Sequence, residues 1–140
     1  MIAIGCDHGG YGLKLEIIKY LEKNALEYKD FGCDGESIDY PIIAKKVGKA
    51  IQDGECEKGI LICGTGIGIS IAANKMKGIR CALCSDCFSA EATRLHNDTN
   101  IIALGGRVVG PELAVKMVDI FLNTPFSEDE RHIRRVGMIE

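Results

Sequence analysis

Apolar positions in this chain fall into short runs separated by longer stretches with helical spacing. IAIGC at 2–6 reads as a buried strand closed by the turn DHGGYG. Leu13, Ile17, Ile18 and Leu21 then recur at the spacing of one helix face, over about residues 13–23. EYKDFG at 27–32 reads as a second, more polar strand. Asp39 and Pro41 mark a helix start, since proline is tolerated where the first N–H has no partner, and Ile43, Val47, Ala50 and Ile51 supply its apolar side. Further strands are predicted at 59–63, about 79–84 and 101–104, with a helix from about Asp86 to His96 before the last of them. Gly110 and Pro111 open another helix, whose Ala114, Val118, Phe121 and Leu122 face inward and which Pro125 ends. Ser127 and Glu130 have the spacing of a capping box, which predicts a short final helix reaching about Met138.

Strands that alternate with helices build a parallel sheet covered on both faces. The expected fold is α/β: a three-layer α/β/α sandwich on a five-stranded parallel sheet, Rossmann-like, as one domain over 1–140 with 126–140 as a helical tail. In such sheets ligands bind beyond the carboxyl ends of the strands, at a topological switch point. The DHGGYG and CGTGIG turns both follow strands and are expected at that edge. His96 and Asn97, in the polar break before the fifth strand, and Arg107, in GGRVVG after it, are expected there too.

Composition narrows the setting. A chain of 140 residues with 46% apolar content suits one globular core, and no apolar run approaches the ~18 residues of a membrane span. The N-terminus enters a strand at its second residue without a basic leader, so a cytoplasmic protein with no membrane partner is expected. A net charge of -3 gives no reason to expect nucleic acid. Seven cysteines, an odd count set inside apolar stretches, read as reduced thiols.

The run GILICGTGIGISIAANK at 59–75 carries the strongest chemical signal. A strand ends in Cys63, Gly64, Gly66 and Gly68 follow at alternate positions, and a helix begins. Such glycines let backbone N–H groups converge on one point, and the helix start adds its own unpaired N–H groups and positive dipole end. The loop suits an anion or oxyanion, and its donors favour a thiolate at Cys63. It matches neither the G-x-G-x-x-G fingerprint nor a P-loop. The plainer readings are a tight turn that binds nothing and a cysteine that is only a small buried hydrophobe. Cys6 also ends a strand but lacks a donor loop, so it reads as packing. Cys81, Cys84 and Cys87 resemble part of an iron–sulfur ligand set, yet no fourth cysteine follows, and Cys81 and Cys84 point to opposite faces of a strand. No metal site is expected. His8 and His96 are each either capping residues or chemical groups, and His132 has no evident catalytic context. Arg131 and Arg135 share one helix face beside Arg134. They form either a solvated face balanced by Glu128, Asp129 and Glu130 or a guanidinium clamp for a phosphate.

GCDHGG at 5–10, DYP at 39–41, ICGTGIGISIAANK at 62–75, RLHNDTNIIALGGRVVG at 94–110 and ERHIRRV at 130–136 resemble ribose-5-phosphate isomerases of the type B class, to which galactose-6-phosphate and allose-6-phosphate isomerases are related. The resemblance runs through nearly the whole chain. It implies an aldose–ketose isomerase of the non-oxidative pentose phosphate branch, working through ring opening and a cis-enediolate. Cys63 would move the proton between C1 and C2, and His96 would assist ring opening. Thr65 and the N–H groups of Gly64, Gly66, Ile67 and Gly68 would hold the enediolate and substrate oxygens. Asp7 and Asn97 would meet sugar hydroxyls, while His8, Arg107, Arg131 and Arg135 would hold the phosphate. Ile69 stands where some members carry a catalytic glutamate, so the cysteine form of the site applies. The resemblance further implies a homodimer or homotetramer with the site shared between subunits, and no cofactor. The rival readings are a hexose-6-phosphate isomerase of the same family and a noncatalytic sugar-phosphate or nucleotide module, in which Cys63 and His96 would be incidental.

Overall fold

In the computed structural model, which describes residues 1–140, five parallel strands form one sheet in the order β2–β1–β3–β5–β4. They are β1 (Ile2–Cys6), β2 (Tyr28–Asp30), β3 (Lys58–Cys63), β4 (Cys81–Leu83) and β5 (Ile101–Gly105). The six helices are α1 (Tyr11–Lys23), α2 (Tyr40–Gln52), α3 (Ile67–Asn74), α4 (Cys87–Asn97), α5 (Pro111–Asn123) and α6 (Glu130–Gly137). β2 lies on one side of β1 and β3 on the other, so the switch point falls between β1 and β3.

The two-residue period of the strands sorts their side chains into two cores. Ile4, Cys6, Ile60, Ile62, Ile102 and Leu104 meet Ile17, Leu21, Ala90, Val118 and Phe121 of α1, α4 and α5. Ala3, Leu61, Ile101 and Ala103 meet Ile43, Val47, Ile69 and Ala73 of α2 and α3. Cys81 belongs to the second core and Cys84 to the first, the opposed placement the strand period predicts. Lys14 is fully buried, and its ammonium is 2.8 Å from Asp30, which ties α1 to the β2 edge of the sheet.

Three boundaries differ from expectation. β2 and β4 are edge strands that pair on one side over three residues each, so both are shorter than the segments 27–32 and 79–84 expected for them. Ser127 does not cap the last helix. Glu128 adopts a left-handed φ of 60°, which turns the chain and leaves Ser127 outside α6, with Asp129 at the N-cap position. Ser127 Oγ instead accepts the Asp129 N–H at 3.2 Å and lies 2.7 Å from His132 Nδ1.

Candidate active site

Three loops meet at the carboxyl edge of the sheet. The Asp7 N–H donates to the Ile62 carbonyl at 3.1 Å, Gly106 N–H to the Cys63 carbonyl at 2.8 Å and Arg107 N–H to the Gly64 carbonyl at 3.0 Å. Their backbones touch because the residues at the crossing are glycines: a methyl group on Gly106 would lie 2.5 Å from the Gly9 carbonyl oxygen. Asp7 is buried and its Oδ1 accepts the Gly9 N–H at 2.9 Å, which shapes the short 3₁₀ turn His8–Gly10 and leaves Oδ2 free. His8 is exposed beside it. The Arg107 side chain lies over Gly64, and the Tyr40 ring lies over Gly68. Asp7, His8, Cys63, Thr65 and Arg107 therefore share one edge, as the sequence predicts.

Within the glycine loop the donors divide. The Gly66 N–H donates to Cys63 Sγ at 3.1 Å, which fixes the sulfur against the loop. The Ile67 N–H donates to Thr65 Oγ1 at 3.1 Å. The N–H groups of Gly64, Thr65, Gly68 and Ile69 have no acceptor in the protein and remain available to a ligand. Gly66 carries φ 78°, and a methyl there would meet Leu83 Cδ1 at 2.6 Å and the Leu104 carbonyl carbon at 2.8 Å. Only glycine permits this turn without displacing β5.

His96 and Asn97 are not at that edge. A helix that connects two parallel strands runs back against them, so the end of α4 reaches the amino edge of the sheet. There the Asn100 carbonyl accepts from Gly59 at the start of β3. The length of β3 separates this edge from Cys63 by about 16 Å, five steps of strand rise. The tail docks here too: Ser127 N–H donates to the Leu95 carbonyl at 3.2 Å, and the His132 ring packs on His96 with centroids 4.7 Å apart. His96, Asn97, Arg131, His132 and Arg135 line one pocket of about 560 Å³. A larger recess of about 790 Å³ beside it contains only Asn97 of the candidate residues.

The ion pairs of the molecule include none of Arg107, Arg131 and Arg135. No carboxylate at 128–130 pairs directly with Arg131 or Arg135. Buried His132 has its pKa lowered by loss of solvation, then by His96 and Arg131, with Asp129 opposing. Burial pushes the Cys6 thiol up to about 12 and the Cys84 thiol up to about 11. Neither is set up as a base, and Cys6 Sγ faces Cys33 inside the core. The reading of Cys6 as packing stands. Two further residues stand beside the candidate groups: Tyr40, within the DYP run, lies over Gly68, and His132, for which the sequence shows no catalytic context, packs on His96.

No helix is long and apolar enough to cross a membrane. The family model described as Ribose/Galactose Isomerase matches residues 2–139. Ribose-5-phosphate isomerase B of Escherichia coli is 51% identical over 139 residues, covering 99% of this chain and 93% of that protein. D-erythrulose-4-phosphate isomerase of Pectobacterium atrosepticum is 46% identical over 127 residues, covering 89% of this chain and 84% of that protein. The solved structure of Clostridium thermocellum ribose-5-phosphate isomerase B superposes with a TM-score of 0.96 at 54% identity, covering 99% of this chain and 93% of the other. With its fold matched and its sequence aligned nearly end to end, this chain belongs to the ribose/galactose isomerase family: it is an isomerase.

Proposed function

We propose that the protein interconverts ribose 5-phosphate and ribulose 5-phosphate at a site assembled from two copies of the chain. The observation that carries this reading is the division of the candidate residues between opposite edges of the sheet. One edge holds Cys63, the free N–H groups and Arg107, while the other holds His96, Asn97 and two unpaired arginines. The Cys63 edge has the base and the oxyanion donors but one guanidinium, and the His96 edge has two guanidinium groups but neither that base nor those N–H donors. Two copies related by a twofold axis would bring the edges together twice.

Exposed apolar side chains support that pairing. Ile67, Ile71, Leu83, Phe88 and Val108 surround the Cys63 edge, and Ile133, Met138 and Ile139 flank the pocket at the other. Patches beside a polar site mark interfaces, and the short edge strand β4 would be covered by the same contact.

In the assembled site, His96 of the second copy assists opening of the furanose, with a proton passing from the C1 hydroxyl as the ring oxygen receives one. Cys63 then takes the C2 proton of the open aldose. The electron pair moves into the C1 carbonyl, and the resulting enediolate is met by the N–H groups of Gly64, Thr65, Gly68 and Ile69. One such donor is worth about 3 kcal/mol in a preorganised site. The thiol returns the proton to C1 while a proton passes from O2 to O1, leaving the ketone at C2. Asp7 and Asn97 hold hydroxyls. His8 and Arg107 from one copy, with Arg131 and Arg135 from the other, hold the phosphate and thereby fix C1 and C2 against the sulfur. No step calls for a cofactor.

The purified protein should convert ribose 5-phosphate faster than hexose 6-phosphates, read by ketose formation on each. Preference for a hexose phosphate would overturn the substrate assignment but not the division of the site. Replacing Arg131 or Arg135 by alanine should weaken binding of phosphorylated sugar by about 10-fold or more, the loss of one charge-assisted hydrogen bond. Binding of the unphosphorylated sugar should not change. Calorimetry on both ligands checks this, and equal losses would make these arginines a solvated face.

A further inference from the structure

We propose that His132 is a positioning residue that holds the His96 imidazole in the orientation that ring opening requires. This rests on the assignment of ring opening to His96.

His96 is the penultimate residue of α4 and its side chain is exposed. An exposed imidazole at a helix end samples several rotamers, and a proton-transfer group that wanders loses rate. Here one side of the ring is occupied. The His132 ring packs against it at 4.7 Å between centroids, tilted by 38°. His132 is itself held: it is 7% exposed, and its Nδ1 lies 2.7 Å from Ser127 Oγ. Ser127 is held in turn by the Asp129 N–H at its hydroxyl and by its own N–H on the Leu95 carbonyl, the residue before His96. The chain of contacts leaves α4 at Leu95, passes through Ser127 and His132, and returns to α4 at His96.

An apolar side chain could dock a short helix without leaving a polar atom to satisfy. The position holds an imidazole whose nitrogen is satisfied by a serine, which costs more to bury and orients the ring as an aliphatic side chain would not. His132 is flanked by Arg131 on α6 and shares its pocket with Arg135, while Asp129 Oδ2 lies 3.9 Å from Nδ1.

The test separates ring opening from proton transfer. Ribulose 5-phosphate cannot close a furanose because its C5 oxygen is esterified, so exchange of its C1 proton with deuterated water needs the base and the donors but no ring step. His132→Ala should lower kcat on ribose 5-phosphate by about 10- to 100-fold, the range for a displaced catalytic group, with KM little changed. It should leave the exchange rate within about twofold of the parent, because the base and its donors stay in register. His132→Phe, which keeps a flat ring against His96, should recover most of the lost turnover. Ser127→Ala should show the same split as His132→Ala in weaker form. Equal loss in both assays, or no loss in either, would overturn the role of His132. His96→Asn is the reference, since loss of turnover without loss of exchange supports the underlying assignment. Equal loss on both assays for His96→Asn would overturn that assignment itself, a result distinct from failure at His132 alone. Light-scattering mass and melting of each variant exclude undocking of the tail as the cause.

Discussion

Cys63→Ala is expected to lower turnover of ribose 5-phosphate by roughly 10²–10⁴-fold, the contribution of a positioned general base. The fold should survive the change. Cys63 is buried, with 4% of its surface exposed, and its side chain is small. The main structural cost is that the Gly66 N–H loses its acceptor, a penalty of about 1–3 kcal/mol for a donor left unpaired. Cys63→Ser separates the two effects. A hydroxyl restores an acceptor for Gly66 but ionises far less readily than a thiol, so stability should return and activity should not. Cys6→Ala is the control, since Cys6 lies in the core against Cys33 and away from the free N–H groups. Steady-state turnover and thermal melting of the three variants decide the matter. Near-normal turnover in Cys63→Ala would make the thiol a packing group and remove the proposed base.

The second large effect is a recovery. Cys63→Ala and His96→Asn should each be nearly inactive on ribose 5-phosphate when pure. Mixed, dissociated and reassembled, they should regain activity. If each site takes Cys63 from one copy and His96 from the other, a mixed dimer holds one site with both lesions and one with neither. Random pairing makes half of the dimers mixed, so about a quarter of the parent activity should return. A site contained in one chain would recover nothing, because every chain would carry a lesion in its own site. The measurement is turnover against mixing ratio, with the maximum at equal amounts. The quarter-scale maximum also separates subunit sharing from simple stabilisation, which would raise both pure variants alike.

The layout of elements was legible because it depends on local pattern. Strand runs such as Ile60–Ile62 and the helix face of Ile43, Val47 and Ala50 announce themselves through period, and their alternation leaves a covered parallel sheet as the expected arrangement. The same holds for the glycine loop, since alternating glycines after a strand that ends in Cys63 mark a turn with exposed N–H groups, although the sequence leaves open whether that turn binds anything. His96 was misplaced although the signal was available: a crossover helix must run back to the amino edge, which puts its last residues opposite the strand ends. The expected cap at Ser127 failed because one left-handed residue, Glu128, shifts the start of the helix by two positions, and spacing does not encode φ.

Chain order and residue type by themselves determined the five-stranded α/β frame, the single core on each face of its sheet, and the thiol set before a loop of donors. Only the tertiary structure decided which donors stay free, that Arg107 stands with Cys63 while Arg131 and Arg135 stand with His96, and that His132, bonded to Ser127, packs on the His96 ring. The physical reason is range. Periodicity and turn chemistry act over a few residues, whereas the partner of a side chain far along the chain is set by the crossing of packed elements, which distances along the sequence do not record.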